Sequence, residues 1–274
     1  MSKDLDPIVE EWPAVSGGIR VRHVVGDDGR DFLQLRVDLG VLQMTFDGRP
    51  DGLRPHACDS VLDHLRDRIA RSPAGLTLAD DDREAIERET MQYYRRRIGL
   101  MALAEQAKGE EDVDLADGLY HRAIRDADHN LAIIELLEAQ DRDRGFVAEH
   151  VQYRPFILMH RATCLAERAL LVDDADQAIE QLKSGTDAIE TCLESEDEPD
   201  ESDESDEADE AAALGVDTRA FAEALRLFER RIRKKYRRRR TLREQLDDAI
   251  EAEDYEQAAR IRDQLEGREA PPTT

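Results

Sequence analysis

A run of acidic residues divides this chain into two parts. Residues 194–210 read ESEDEPDESDESDEADE and contain twelve acids, no base and no large apolar side chain. Like charges repel, and without apolar burial nothing offsets the entropy that such a segment would lose on ordering. We therefore expect a disordered acidic linker at 194–210 that separates a larger domain, 1–193, from a C-terminal region beginning at 211.

The first part opens with a strand pattern. Apolar and polar residues alternate between 18 and 48, and the runs are bounded by glycine-containing turns such as Asp27-Asp28-Gly29 and Asp47-Gly48. Period-two alternation between such turns predicts a three-stranded antiparallel meander. One face of this sheet needs a cover, which we expect the following helices to supply. The apolar positions are Ile19, Val21, Leu33, Leu35, Val37, Leu42, Met44 and Phe46.

Helical periodicity begins near residue 59 and continues to the linker. Pro155 lies inside one helical segment and predicts that this helix starts or kinks there. The predicted fold class is therefore mainly α, an α+β arrangement with one small N-terminal sheet. Apolar residues recur every three or four positions in the segments 59–71, 81–108, 113–140, 147–171 and 174–193.

The helical region contains an internal echo. Six apolar or small residues have counterparts exactly one interval of 62 positions later. Small residues at these positions predict pairs of antiparallel helices in close contact, and the spacing resembles that of tetratricopeptide repeats. An ordinary helical bundle with alanine at its close crossings is the alternative. The first set is Leu103, Ala104, Ala107, Ala116, Tyr120 and Ala123, and the second is Leu165, Ala166, Ala169, Ala178, Leu182 and Gly185.

The region 211–240 predicts an amphipathic helix that becomes strongly basic. Asp217 is placed to cap it, and nine of the eleven residues in 230–240 are basic. Such a tract either binds nucleic-acid phosphates, with Tyr236 stacking on a base, or is a solvated helix that attracts the acidic linker. The apolar stripe consists of Phe221, Leu225, Phe228 and Ile232. The basic residues are Arg230, Arg231, Arg233, Lys234, Lys235, Arg237, Arg238, Arg239 and Arg240.

Two short amphipathic helices fit residues 241–267. Asp254 is placed to cap the second helix, with Gln257 as the return partner of a capping box, after a turn at 251–253. Ala258 and Ala259 allow the two helices to approach closely. A hairpin of this size buries too little apolar surface to be stable alone, so we expect its apolar stripe to seek a partner.

This block resembles the UVR motif, a helical hairpin of the excision-repair subunit UvrB and its partner UvrC that also occurs in Clp-type unfoldases and in activators of bacterial protein arginine kinases. The resemblance spans about 27 residues and places Tyr255 where phenylalanine is commoner. It implies a hairpin that binds another protein, often a second UVR hairpin. The expected docking residues are Leu242, Leu246, Ala249, Tyr255, Glu256, Ala258, Ala259, Arg262, Asp263 and Leu265.

The resemblance implies binding and no chemistry. The sequence has no GxxxxGK[ST] loop, no nuclease motif and no CxxC pair of the kind expected in an arginine-kinase activator. His56, Cys58 and His64 lie close together but fit no zinc pattern. We therefore expect a protein that is not an enzyme and has no metal and no cofactor.

Two functions remain open at this stage. The expected one is an adaptor that docks a protein partner, either another UVR protein or a second copy of the chain. The alternative is a DNA-repair accessory protein that contacts nucleic acid through 230–240 and recruits a nuclease through the hairpin. An enzyme with its site in the domain 1–193 is a third interpretation, but no motif supports it. The hairpin itself could also be purely structural and pack against helix 217–236.

The cellular compartment follows from what the sequence lacks. The residues MSKDLDPIVEEW form neither a basic nor an apolar leader, and no segment approaches the ~18 apolar residues of a membrane span. The three cysteines are far apart and suit reduced thiols. We expect a soluble cytoplasmic protein with no membrane partner.

Overall fold

A computed structural model describes residues 6–14, 18–71, 78–196, 217–237 and 240–269. Most of the predicted acidic linker lies outside these residues, as do Arg238 and Arg239 of the basic tract. Helices dominate the described residues, and one three-stranded sheet lies near the N-terminus. The predicted fold class, mainly α with a small antiparallel sheet, is confirmed.

The sheet is a meander of strands β1 (Arg20–Val25), β2 (Asp31–Val37) and β3 (Gly40–Thr45) in that order. Both pairs are antiparallel, and their registers place Leu35 opposite Val21 on one side and Leu42 on the other. The first turn contains Gly29 at φ 76°, a left-handed conformation that glycine adopts without steric cost. The meander predicted for 18–48 is confirmed.

The helical region divides at Pro155, where a helix start or kink was predicted. Pro155 lies in the first turn of one helix, directly after a shorter helix, so the predicted segment 147–171 is two helices. The helices are α1 (Asp6–Glu11), α2 (Val61–Arg71), α3 (Asp80–Gly109), α4 (Val113–Gln140), α5 (Arg144–Val151), α6 (Arg154–Leu171), α7 (Ala175–Glu196), α8 (Thr218–Tyr236), α9 (Leu242–Glu251) and α10 (Tyr255–Glu269), with a 3-10 turn at Pro55–Ala57.

The apolar face of the sheet packs against α3 and α4. Leu33 is fully buried in one cluster with Leu100 and Leu103. The backbone of α3 comes so close at Gly99 that an added Cβ would lie 2.8 Å from Leu33 Cδ2. The predicted cover of the sheet by the following helices is therefore confirmed.

The echo of 62 residues corresponds to two helical hairpins. Its first set lies on α3 and α4, and its second set lies on α6 and α7. A Cβ added at Gly185 of α7 would overlap the Cβ of Ala162 on α6, so the two backbones are nearly in contact. The small residues buried at these crossings are Ala104, Ala107, Ala116, Ala123, Ala166, Ala169 and Ala178.

The two hairpins also turn in the same way. Each first helix ends near a buried alanine, and the fourth residue after it is left-handed, with φ of 62° and 58° respectively. The next residue is an aspartate whose N–H donates to the carbonyl oxygen of the alanine at 2.9 Å in both hairpins. The residues are Ala107, Glu111 and Asp112 in the first hairpin and Ala169, Asp173 and Asp174 in the second.

Helix α8 packs on the second hairpin. Its predicted apolar stripe lies against α6 and α7, where Leu225 and Ile232 are buried in one cluster with Ile179 and Leu182. The apolar residues of α9 and α10 form a separate cluster. The apolar stripe of α8 is therefore covered by α6 and α7. If the hairpin were only a structural element packed on α8, we would expect apolar residues of α9 and α10 against this stripe, and they form their own cluster instead.

A buried ion pair ties the sheet to the helices. Arg96 and Asp126 are both fully buried and are joined by two hydrogen bonds of 2.7 and 2.6 Å. Arg96 also donates to the carbonyl oxygens of Thr45 at 3.1 Å and Gly48 at 2.7 Å. One side chain thereby links α3, α4 and the end of β3.

A second buried carboxylate begins α2. Glu89 accepts hydrogen bonds from the backbone amides of Val61 at 2.8 Å and Leu62 at 3.2 Å. These amides have no partner within their own helix, so Glu89 acts as a cap supplied from α3. Arg49 at 3.1 Å and His129 at 3.0 Å complete the cluster.

Candidate partner-binding hairpin

The C-terminal hairpin is held by caps at the start of both helices. Thr241 and Glu244 form a capping box, in which the Glu244 amide donates to Thr241 Oγ1 at 3.2 Å and the Thr241 amide donates to Glu244 Oε2 at 2.8 Å. The Gln257 amide donates to Asp254 Oδ1 at 3.0 Å. The predicted cap at Asp254 is therefore confirmed.

The turn of this hairpin repeats the turn of the two body hairpins. Glu253 is left-handed at φ 57°, and the Asp254 amide donates to the carbonyl oxygen of Ala249 at 2.8 Å. One pattern underlies all three turns: alanine, an acid four residues on, aspartate five on, an acid seven on and alanine nine on. It occurs at 107–116, 169–178 and 249–258.

The two helices close on each other through small and branched side chains. Ala249, Ala258 and Ile261 are buried, and Leu242, Leu246 and Leu265 pack around them. This cluster contains no residue from any other described element. The hairpin therefore forms its own apolar interior, and Ala249 and Ala258 lie inside it instead of on its outer surface.

The tip of the hairpin exposes two large apolar side chains. Tyr255 is 68% exposed and Ile250 is 52% exposed. The predicted docking residues Glu256, Arg262 and Asp263 are exposed on α10, while Ala259 is half-buried. Glu256 forms an ion pair with Arg260 one turn later. The exposed part of the predicted set therefore lies on α10 and at the tip.

Glu244 joins the hairpin to the rest of the chain. Its carboxylate accepts hydrogen bonds from Arg233 of α8 at 2.7 Å and from Lys183 of α7 at 3.1 Å. Burial alone would raise the pKa of Glu244, but the hydrogen bonds from Arg233, the Thr241 amide and Lys183 outweigh it and lower the pKa to about 2. The carboxylate is therefore charged throughout the neutral range.

Thr241 makes a second connection at the same place. It is fully buried, and its hydroxyl donates to the carboxylate of Glu180 on α7. The base of α9 thus lies against α7 through polar groups, whereas the tip is free of such contacts in the described part of the chain. Sequence reasoning missed Thr241, Glu244 and Ile261 as site residues. The S/T-x-x-E pattern at 241–244 was the available signal.

The described residues of the basic tract have mixed environments. Arg230 pairs with Glu223 at 2.6 Å, Arg233 pairs with Glu229 at 2.7 Å, and Arg240 pairs with Asp248. Arg231 lies over the ring of Phe228. The exposed residues Lys234, Lys235 and Arg237 form no ion pair with any residue that the structure describes. Part of the tract is thus neutralised within the chain.

The C-terminal region is thus a small helical hairpin attached to a larger helical body. The comparison with protein families identifies the module: residues 237–267 match the family model of the UVR motif, described as the UvrB/uvrC motif. The predicted UVR resemblance is confirmed for this segment. No curated protein and no solved structure matches the chain.

The described helices and side chains bear on two kinds of site, membrane spans and metal centres. Within the described ranges, every helix is too short or too polar to cross a membrane. Those same residues contain no group of three or more His, Cys, Asp or Glu side chains placed to hold a metal ion. His56 and His64 instead stack on each other, with ring centroids 4.0 Å apart.

Proposed function

We propose that this protein is a non-enzymatic adaptor that docks a protein partner through its C-terminal hairpin. The observation that carries the proposal is the isolation of the hairpin's apolar interior, which uses no residue from any other described element. The base of the hairpin contacts α7 and α8, whereas Tyr255 and Ile250 at its tip are exposed and can contact a partner. Exposed apolar side chains of this size mark protein-binding surfaces when they cluster.

The proposed partner is a second helical hairpin, from another UVR protein or from a second copy of the chain. Two helices that carry an apolar tip and alternating acids and bases suit another hairpin of the same kind. Glu256, Arg260, Arg262 and Asp263 on α10 provide both signs of charge for such pairing. Their contributions would set the orientation of the partner more than the affinity.

An affinity capture with matched variants tests this proposal. The full chain is compared with the double variant Ile250→Ser/Tyr255→Ser and with Leu39→Ser. Leu39 is a suitable control because it is 96% exposed and belongs to the β2–β3 turn, not to the hairpin. We expect a captured protein to be lost with the double variant and kept with Leu39→Ser. Sedimentation of the same three proteins tests self-association. Identical capture and identical sedimentation for all three would contradict the proposal.

A second candidate function is nucleic-acid binding by the basic tract. The supporting observation is the exposed set Lys234, Lys235 and Arg237, which lacks acidic partners among the described residues. Contacts with phosphates would make the affinity for DNA fall steeply with salt. The slope of log K against log salt concentration would be about −0.9 for each neutralised phosphate.

Anisotropy of a labelled DNA duplex, titrated at several salt concentrations, tests this second function. The triple variant Lys234→Gln/Lys235→Gln/Arg237→Gln removes three charges from the tract. The control Arg95→Gln/Arg142→Gln/Arg144→Gln removes three exposed charges elsewhere. A smaller salt slope for the first variant alone supports DNA binding by the tract. Equal slopes for both variants would count against it.

A further inference from the structure

Three arginines lie side by side on the outer face of the sheet. Val21 and Leu35 are buried against α3, and side chains alternate between the two faces of a strand. Arg20, Arg22 and Arg36 therefore lie on the opposite face, where we call them the arginine cluster. The register of β1 and β2 places Arg20 directly opposite Arg36. Like charges in directly opposed positions destabilise a sheet, so this arrangement is unfavourable on its own.

The guanidinium groups of the arginine cluster converge on the segment that precedes β1. Arg36 Nε donates to the carbonyl oxygen of Trp12 at 2.8 Å, and Arg20 Nη1 donates to that of Pro13 at 2.6 Å. The guanidinium carbon of Arg22 lies 4.3 Å from the centre of the Trp12 ring, and that of Arg20 lies 6.0 Å from it. Three positive charges are therefore gathered around two consecutive residues.

No carboxylate among the described residues pairs with the arginine cluster. The ion pairs of the sheet region join other groups, His23 with Asp31 and Arg30 with Asp28. In a chain with 64 acids and 39 Lys and Arg residues, three adjacent arginines without an acidic partner are unexpected. The net charge of -25 disfavours non-specific binding of anions, so an anion held at the cluster requires a specific site.

Each arginine of the cluster keeps a hydrogen-bond donor that solvent can reach. Arg22 uses its Nε for Gln34 Oε1 at 2.8 Å, and Arg36 uses its Nη1 for the carbonyl oxygen of Gly40 at 2.9 Å. The Nη2 atoms of all three arginines have no partner among the described residues. The unpaired side-chain atoms that are sealed from solvent belong to other residues. These Nη2 atoms are therefore available to a ligand on the outer face.

A phosphate group suits these donors better than a nucleic-acid strand does. A phosphate monoester carries nearly two negative charges and three acceptor oxygens, and arginine binds phosphate through paired N–H donors. A single strand would need exposed aromatic rings for its bases and a basic groove along its backbone. Trp12 is only 7% exposed, and the positive charges are gathered around one point instead of following a groove. The arrangement therefore fits one compact dianion.

We propose that the arginine cluster binds the phosphate group of a phosphate monoester. The three Nη2 atoms donate to the phosphate oxygens, and the ligand supplies the negative charge that offsets the repulsion between Arg20 and Arg36. Because the ligand binds the folded sheet, it also stabilises the fold. A small phosphorylated molecule and a phosphorylated side chain of a partner protein share this chemistry.

Calorimetric titration of the full chain with phenyl phosphate tests the proposal. The diester methyl phenyl phosphate keeps the ring and the phosphorus but has one negative charge and one terminal oxygen fewer. Because hydrogen bonds to charged groups are the stronger ones, we expect the monoester to bind roughly ten-fold more tightly than the diester, or better. Equal affinities, or no binding of phenyl phosphate at millimolar concentration, would overturn the proposal.

Variants separate the arginine cluster from a general effect of charge. Arg20→Gln and Arg36→Gln each remove one cation of the cluster. Arg30→Gln removes an exposed cation from the β1–β2 turn, where it pairs with Asp28. We expect each of the first two variants to bind phenyl phosphate roughly ten-fold more weakly, while Arg30→Gln binds it as the wild type does. Wild-type affinity in both Arg20→Gln and Arg36→Gln would exclude the cluster as the site.

A third variant covers the case in which loss of Arg20 or Arg36 disturbs the fold. Gln34→Glu keeps the size of the side chain and the oxygen that accepts from Arg22, but adds a carboxylate within the sheet. We expect weaker binding of phenyl phosphate and a higher midpoint of thermal unfolding in phosphate-free buffer, because the carboxylate takes over the role of the ligand. Gln106→Glu makes the same change at an exposed position of α3 and should alter neither quantity. Full affinity in folded Gln34→Glu would overturn the proposal.

Two further titrations identify the source of the phosphate. A phosphoserine peptide that binds more tightly than phenyl phosphate indicates a phosphorylated partner protein, and equal or weaker binding indicates a small phosphorylated molecule. A single-stranded DNA oligonucleotide provides the opposite case. If it binds more tightly than both and loses this affinity in Arg20→Gln, the cluster is a nucleic-acid site and the proposal of a monoester is wrong.

Discussion

The backbone amide of Asp254 donates a hydrogen bond to the carbonyl oxygen of Ala249 at 2.8 Å. This bond closes the turn of the UVR hairpin, and equivalent bonds close both hairpins of the helical body. Because the three turns share one sequence pattern, the C-terminal module is built in the same way as the body to which it is attached. The difference lies in what covers each hairpin, since α6–α7 is covered by α8 while α9–α10 packs mainly on itself.

Asp254→Ala should weaken the start of α10. The substitution removes the acceptor of the Gln257 amide, and loss of such a cap costs about 1 kcal/mol. Amide hydrogen exchange in α10 should accelerate by roughly five-fold, while exchange in α3 and α4 stays constant. Asp254→Asn keeps a capping oxygen and should behave like the wild type. If Asp254→Asn and Asp254→Ala are equally affected, lost charge and not the cap is responsible.

Glu253→Gly should stabilise the same hairpin. Glu253 is left-handed at φ 57°, a conformation that is costly for residues with a Cβ and free for glycine. We expect the backbone amides of α9 and α10 to exchange more slowly, because the free energy of opening rises by up to about 1 kcal/mol. Asp247→Gly is the matched control, because Asp247 is an exposed residue in the interior of α9 and glycine should destabilise the helix there. A destabilising Glu253→Gly would show that the left-handed turn is not retained in solution.

The attachment of the hairpin to α7 and α8 should weaken at acid pH. Glu244 has a folded pKa of about 2, below its ordinary value of 4.5, so its contribution is fully present above pH 4.5 and is lost as the pH falls toward 2. Hydrogen exchange of the α9 amides should therefore accelerate over this window in the wild type. Glu244→Gln should exchange faster at neutral pH and lack that part of the pH dependence. Parallel pH profiles for the two proteins would exclude Glu244 as the anchor.

Asp126→Asn should be among the most destabilising single substitutions in the body. It leaves the guanidinium of Arg96 buried without its carboxylate, which costs about 3–5 kcal/mol in comparable pairs. Asp128→Asn makes the same chemical change in the half-exposed pair with Arg161 and should cost less than about 1 kcal/mol. Denaturant unfolding of both variants measures the contrast. Similar losses for the two would mean that the Arg96–Asp126 pair is open to solvent.

Gly185→Ala should disrupt the contact between α6 and α7. The added Cβ would overlap that of Ala162, and overpacking of this kind costs about 1–3 kcal/mol. Gly109→Ala is the control, since an added Cβ there meets nothing within 4 Å and should be neutral or slightly stabilising. Thermal unfolding distinguishes the two. An unchanged midpoint for Gly185→Ala would show that α6 and α7 separate more easily than their packing indicates.

Much of the fold could be predicted because its signals act over short distances. Alternation around Leu33 and Leu35 predicted the sheet, the proline at 155 predicted a helix start, and the aspartate at 254 predicted a cap. The interval of 62 residues predicted two related hairpins. The shared turn pattern was not predicted. Its third copy follows the second by 80 residues and therefore falls outside the interval of 62.

Local patterns were thus enough to define the strands, most helices and the UVR hairpin, since residues a few positions apart govern each of them. Packing alone brought Lys183 to Glu244, brought Arg36 to the Trp12 carbonyl oxygen and covered the stripe of α8 with α6 and α7. These contacts join residues far apart in the chain. The entropy of closing a long loop changes little with its length, so sequence separation hardly restricts which distant groups meet. Which distant residues come into contact is determined by the shape and charge of the assembled core.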